Sequence, residues 1–160
     1  LLTATLNANA SWWVFGNNNN SPQQQSIQHE AWAISQSAPN LNPKVLRLAL
    51  TAYNNAESMG YPVRKNVLTI IDYSLPDNDK RLWVLDLKHQ KVLYNALVAH
   101  GQGSGGLYAQ RFSNFNGTHA SSIGVFITKN TYYGSKGYAL RLQGLDRGFN
   151  DRAESRDIVM

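Results

Sequence analysis

The chain has 160 residues, 42% apolar and 16% charged, with a formal charge of +5 and no cysteine. That length and apolar content fit one folded domain with a sizeable core. The composition excludes disulfides, thiolate metal sites and a cysteine nucleophile within these residues, and no window holds the roughly 18 apolar residues that a membrane-crossing helix needs.

In chain order, the first segment is "LLTATLNANA", which ends in Ala-Asn-Ala before Ser11. Small-x-small is the pattern of a signal-peptidase site, although the charged n-region is missing. "FGNNNNSPQQQS" follows, a polar low-complexity tract that buries too little surface to order itself. Residues 1–25 are therefore expected to be a signal-peptide remnant and a disordered polar linker. A trimmed N-terminus is the other reading of this pattern; with a signal remnant, the expected location is the periplasm or cell envelope.

Residues 26–61 read as a helical segment. In "SIQHEAWAISQSA", Ser26 is the expected N-cap, His29 and Glu30 fall in the first turn, and Ile27, Ala31 and Ile34 share a face. "NPKVLRLALTAYNNAESMG" carries Asn42 as cap, Pro43 at the first helical position and Gly60 as stop. Its Val45, Leu48, Ala49, Ala52, Tyr53 and Ala56 form a stripe at helical spacing, facing a core.

Residues 62–160 turn to strands: "NVLTIIDYS", "RLWVLDL", "KVLYNALVAHG", "SSIGVFITKNTY" and "GYALRLQGL". The short spacers "LPDNDK" and "KHQ" predict antiparallel meanders and not βαβ units. The closing "RDIVM" reads as a strand just beginning. Four Trp, eight Tyr and five Phe agree with a β-rich domain or a carbohydrate- or peptide-facing cleft.

The stretch "HGQGSGG" contains a GxGxxG directly after an apolar run. A dinucleotide fingerprint also needs a helix opening at the loop and an acid about twenty residues on. Neither is present, so the glycines are expected to let backbone pass close to a neighbouring chain or ligand. His29, His89, His100 and His119 lack metal-ligand spacing, and no metal or cofactor is implied. A hydroxyl nucleophile would need Ser121 or Ser122 with His100 or His119, yet no GxSxG elbow supports one. Carboxylate pairs for glycoside hydrolysis would have to come from Asp72, Asp77, Asp79 or Asp86, and Asp77 with Asp79 sits in a turn that it shapes.

Charge is distributed unevenly. No acid lies between Asp86 and Asp146, while Lys88, Lys91, Arg111, Lys129, Lys136 and Arg141 do. Such a face attracts anions, carboxylate-bearing polymers among them, or it is a solvated surface that aids solubility. Tyr108, Phe112, Phe115, Tyr132 and Tyr133 interleave with the basic residues as in a single-strand nucleic-acid binder. Aromatics at strand spacing usually belong to a core, and no nucleic-acid partner is expected.

Taken together, "RLWVLDL", "VLYNALVAHGQGSG", "RFSN", "SSIGVFIT" and "YYGSKGYALRLQGLDRGFNDRAESRDIV" run in unbroken order between Val67 and Met160. The series resembles the bacterial murein L,D-transpeptidase catalytic domain of the YkuD-like superfamily, in the branch with a His-Gly-x-x-Ser-Gly loop. The resemblance implies a mainly β fold with N-terminal helices: a YkuD-like β-sandwich or barrel-like catalytic domain with a cleft at one edge, its C-terminal part missing. It also implies acyl transfer on peptidoglycan stem peptides, in which a cysteine thiolate forms a thioester that a second stem's amine resolves.

In that family the strand matching "RDIVM" is followed by His-Gly and then by Ser-x-Gly-Cys. The catalytic residues are therefore expected C-terminal to Met160, and these 160 residues alone are expected to be inactive. Either a fragment or a degenerate relative satisfies this pattern. Among the residues present, the resemblance implies substrate contacts from His100, Gly101, Ser104, Gly105, Ser113, Asn114, Ser121, Ser122 and the gating Tyr132. Structural roles stay open for each: turns for the glycines, loop capping for Ser113 and Asn114, packing for Tyr132. The alternative to an enzyme is a non-catalytic peptidoglycan-binding module. Oligomeric state is not legible.

Overall fold

In the computed structural model, which describes residues 2–6, 21–62, 66–135 and 137–160, two helices and six strands alternate unevenly along the chain. They are β1 (Leu2–Leu6), α1 (Pro22–Ser35), α2 (Pro43–Ser58), β2 (Val67–Asp72), β3 (Leu82–Asp86), β4 (Lys91–Ala96), β5 (Gly124–Gly134) and β6 (Gly137–Gly144).

Both helices open on a polar cap followed by proline, the arrangement in which the proline's missing N–H costs nothing. At α2 the pair is Asn42-Pro43, as its pattern predicts, with Lys44 N–H donating to Asn42 Oδ1 at 2.9 Å. At α1 it is Ser21-Pro22, with Gln24 N–H donating to Ser21 Oγ at 3.2 Å. Ser26 is therefore not the cap but a mid-helix residue, and Pro22 to Gln25, assigned above to the linker, form the first turn of α1. The predicted face holds: Ile27, Ala31 and Ile34 are buried. In α2 Ala52 is only half-buried, while Leu46, Leu50 and Thr51 join the buried set, because the helix meets both α1 and the sheet.

The strands form one six-stranded sheet in the order β4-β3-β2-β1-β5-β6. Antiparallel pairing of β2 with β3, β3 with β4, and β5 with β6 follows the meander expectation. The exception is at the centre. β1 lies between β2, to which it is parallel, and β5, to which it is antiparallel. Residues 2–6 were expected in an export-signal remnant, yet they close the gap between the two meanders. Parallel neighbours need a long crossover, and α1 and α2 provide it. The Ala-Asn-Ala site and the asparagine tract lie outside the described residues.

Alternation across the pleat sends Leu68, Ile70, Trp83, Leu85 and Ala4 to the helices, where they meet Ile27, Ile34, Val45 and Leu50 in the main core. Ile71 and Leu82 face the other way, as do Phe126 and Leu142 further along the sheet. Both faces of β2 are therefore buried, which is why "VLTII" is almost continuously apolar. Long loops before β5 and after β6 cover that second face. The closing segment begins to pair along the outer edge of β6, as "RDIVM" predicts. Arg141 bridges Val159, Leu140 N–H donates to Met160 O at 2.7 Å, and Met160 N–H donates to Leu140 O at 3.0 Å.

Candidate functional site

Between the second sheet face and its covering loops lies a cleft of about 640 Å³. Ile71, Phe126 and Leu142 line it from the sheet, His100, Gly101, Ser121 and Ser122 from the glycine-rich side, and Arg156 to Met160 from the closing segment.

One wall hangs on a buried arginine. Arg81, at the start of β3, is 0% exposed. Its Nε and Nη2 donate to Val98 O at 3.0 and 2.9 Å, and its Nη1 donates to Leu75 O at 2.9 Å. Nη2 also lies 2.8 Å from His100 Nδ1. A guanidinium only donates, so Nδ1 accepts and the imidazole proton sits on Nε2, which points at Gly105 O 3.4 Å away. The guanidinium carbon lies 5.0 Å from the centre of the Tyr73 ring. Burial pushes the Tyr73 hydroxyl above its ordinary range, while a hydrogen bond with Ser121 and the Arg81 charge pull it back.

The second wall is backbone against backbone. Gly101 N–H donates to Ser121 Oγ, and Ser121 N–H donates to Ser104 Oγ, each at 2.8 Å. Gly103 N–H donates to His119 O at 2.9 Å. A methyl group on Gly103 would stand 2.0 Å from Thr118 O, and one on Gly101 would stand 2.3 Å from His119 O. The glycines are there because two chain segments touch, as expected. Residues Gln102–Ser104 make only one short 3₁₀ turn. No helix N-terminus is available for a pyrophosphate.

Arg156 ties this wall to the closing segment. Its Nη1 donates to Ser122 Oγ at 2.7 Å and, in a short contact, to Ser113 O. Its Nη2 donates to Ala120 O at 2.8 Å and to Thr118 Oγ1 at 3.2 Å. Ser122 Oγ in turn donates to Ser113 O at 3.0 Å.

Of the residues implicated from sequence, the cleft gathers His100, Gly101, Ser121 and Ser122. Ser104 is buried behind them, and Gly105 accepts from His100. Ser113 Oγ accepts from Phe115 N–H at 3.1 Å. Asn114 donates to Asp151 Oδ1 at 2.8 Å and accepts from Arg152 N–H at 3.0 Å, bracing one loop against another. Tyr132 is not among the lining residues; it stands on the β5–β6 hairpin with Arg141 stacked 4.4 Å from its ring centre. His119, weighed from sequence only as a base for a hydroxyl nucleophile, also lines the cleft, while Tyr73 and Arg156 in the lining and Arg81 behind it are the residues that sequence reasoning missed. Arg81 opens a strand like any polar boundary residue, so only its burial reveals it.

The hydroxyl-nucleophile arrangement is not assembled. His100 bonds Arg81 and Gly105, Ser121 Oγ accepts from Gly101, and Ser122 Oγ serves Ser113 and Arg156. Asp72 accepts from Ser74 N–H and Oγ in a local turn, and Asp86 pairs with His89. Among the described residues no three His, Asp or Glu side chains gather to hold a metal ion.

Asp146 fastens the loop after β6 to β5. Its Oδ2 accepts from Val125 N–H at 2.6 Å and from Asn150 Nδ2 at 3.3 Å, while Asn150 Nδ2 also reaches Val125 O at 3.0 Å. Burial raises the Asp146 carboxyl above its ordinary value, and these two hydrogen bonds only partly offset that. Between the ordinary value near about 3.9 and the raised one, the folded protein binds more protons than the unfolded chain. Stability is therefore expected to fall as pH rises through that window. Asp86 and Asp151, held low chiefly by hydrogen bonds from His89 and Asn114, act in a window below the ordinary value and in the opposite sense. Urea titrations across the mildly acidic range should show the fall, and Asp146→Asn should flatten it. An unchanged slope in that variant would remove Asp146 as the cause.

No described helix is long and apolar enough to cross a membrane. Compared with known families, residues 36–160 match the family model described as the L,D-transpeptidase catalytic domain. No curated protein and no solved structure matches the chain.

Proposed function

The chain belongs to the L,D-transpeptidase catalytic domain family, and from that premise we propose that its cleft is the substrate-holding part of an acyl-transfer site for peptidoglycan stem peptides. The observation that carries this reading is the cleft's electrostatic construction. The Arg156 guanidinium lines it, hydrogen-bonded to carbonyls and hydroxyls, while the Arg81 guanidinium lies buried behind His100, bonded to two carbonyls and that imidazole. Neither is in a salt bridge among the described residues, where the only two are His89–Asp86 and Arg141–Asp157. Arginine keeps its charge even when buried, and in a partly desolvated cleft that charge favours a carboxylate-bearing ligand.

The stretch from residue 87 to residue 145 adds no acid to the cleft, and the one acid that lines it, Asp157, is paired with Arg141. Extended stem backbone lying in the cleft would meet the hydroxyls of Ser121 and Ser122 on one side and the closing segment on the other. In the reaction a thiolate attacks the carbonyl carbon of the L-to-D peptide bond. The C–N bond breaks, the D-residue leaves as an amine, and a second amine later displaces the thiolate from the thioester. The 160 residues contain no cysteine, so these residues hold and orient the stem. Following the family's motif order, the thiol, its histidine and the oxyanion donors are assigned to sequence C-terminal to Met160, and the protein to the cell envelope.

The test is intact-mass spectrometry of the protein with its native continuation, after exposure to a carbapenem. A covalent adduct on a cysteine downstream of Met160 is the expected result. Binding to murein sacculi without any adduct would instead favour the non-catalytic wall-binding module. Failure to bind both sacculi and a free tetrapeptide stem would overturn the reading altogether.

A further inference from the structure

The β5–β6 hairpin carries a feature that the cleft does not use. β1 pairs with β5 only from Gly124 to Ile127, whereas β5 and β6 stay paired out to Gly134 and Gly137. Among the described residues, the outer half of the hairpin has no strand partner on its β5 side, and on its β6 side the closing segment pairs at Leu140 and Arg141. On this outer half Tyr133 and Tyr138 lie directly opposite each other, ring centres 4.9 Å apart and planes tilted by 54°. Tyr133 is 85% exposed and Tyr138 64%. The Tyr138 hydroxyl donates to Thr131 Oγ1 at 2.7 Å, which fixes that ring in place.

We infer that this tyrosine pair is a stacking platform for a pyranose ring, and that it holds the glycan strand from which a stem peptide in the cleft would hang. The inference rests on the stem-binding reading above and adds a second subsite to it.

The rings sit on the right side of the sheet. Residues 138, 140 and 142 share one face of β6, and Leu142 on that face lines the cleft. Four residues of strand separate Tyr138 from Leu142, about 13 Å at the usual rise. An extended four-residue stem spans about 13–14 Å. Cleft and platform are thus one stem length apart along a single strand.

The chemistry of the patch selects the occupant. A protein partner's apolar anchor seeks a desolvated pocket, but this surface is two flat rings with hydroxyls at their edges and a threonine hydroxyl between the strands. A sugar ring complements that surface, since it offers a face of C–H bonds to an aromatic plane and hydroxyls around its rim. Lys129 is exposed nearby, while Arg141 stacks on Tyr132 on the opposite face of the ribbon and is paired with Asp157. A glycan bearing carboxylated stems fits such surroundings.

The probe is the β-1,4-linked tetramer of N-acetylglucosamine, titrated into the protein with its native continuation and followed by backbone amide and tyrosine ring NMR. Shifts are expected at residues 131–140, with Kd raised at least tenfold in Tyr133→Ala. Tyr133→Leu keeps an apolar cross-strand contact without the flat ring, so it separates loss of stacking from loss of the hairpin, and it too should bind at least tenfold more weakly. A free tetrapeptide stem, titrated in parallel and read at His100, Ser121 and Ser122, should bind equally in all three proteins. Absence of tetramer binding, or binding that Tyr133→Leu leaves unchanged, would overturn the platform even if the stem binds. Stem failure with intact tetramer binding would overturn the cleft reading and leave the platform standing. Tetramer shifts confined to the cleft would also overturn it.

Discussion

Arg81→Leu is expected to cost this domain a large share of its stability. The substitution leaves three half-buried acceptors without their donors: Val98 O, Leu75 O and His100 Nδ1. Each unsatisfied buried group costs roughly 1–3 kcal/mol, and the cation over the Tyr73 ring is lost as well. A total loss of roughly 3–5 kcal/mol is expected, against the 5–15 kcal/mol that a domain typically has. Lysine should not rescue it, because a single ammonium cannot span carbonyls that a planar fork reaches from three nitrogens. Urea denaturation of wild type, Arg81→Leu and Arg81→Lys measures the loss. In folded wild-type protein, ¹⁵N spectra should show His100 Nδ1 as the hydrogen-bond acceptor. A leucine variant within about 1 kcal/mol of wild type, or full rescue by lysine, would mean that the fork does not hold the wall.

Gly103→Ala should be nearly as damaging, for a purely steric reason. The added methyl would lie 2.0 Å from Thr118 O and 2.9 Å from both Ala120 N and the His119 carbonyl carbon, all backbone atoms that cannot rotate away. The two segments must part, breaking the Gly103 N–H bond to His119 O and loosening the Ser104–Ser121 and Ser121–Gly101 bonds beside it. Overpacking of this kind costs typically 1–3 kcal/mol and sometimes more. About 3 kcal/mol is expected here, together with loss of stem binding. Gly106→Ala is the control, since its methyl meets nothing within 4 Å and should change stability by less than about 0.5 kcal/mol. Equal behaviour of the two variants, by denaturation and by hydrogen exchange at residues 101–104 and 119–121, would contradict the close approach.

Much of the architecture was legible because local physics dictates it. Asn42-Pro43 capped α2 as written, and the apolar runs at β2, β3, β5 and β6 became strands. The run "KVLYNALVAHG" became strand only as far as Ala96. Beyond it the chain leaves the sheet edge to let Val98 O meet Arg81, a distant contact with no local signature. β1 was misread for a related reason. "LTATL" is short and rich in small residues, and its central position follows from an empty slot between β2 and β5 that only the assembled sheet creates.

The site divides in the same way. His100, Gly101, Ser121 and Ser122 were named from motif order, and the fold brings them to one cleft. Asn114 and Ser113 turned out to bond loop to loop, and Tyr132 to stand apart under Arg141. Arg156 was passed over because its role depends on four acceptors between residues 113 and 122.

By itself, then, the sequence determined the helices, most of the strands, the absence of a thiol and the family, since caps, periodicity, composition and motif order are local or linear properties. Only the tertiary structure decided where β1 lies, why the glycines are glycines, that Arg156 lines the cleft and that Arg81 is buried behind it. Those follow from pairs of segments far apart in the chain, whose meeting depends on how the whole domain packs.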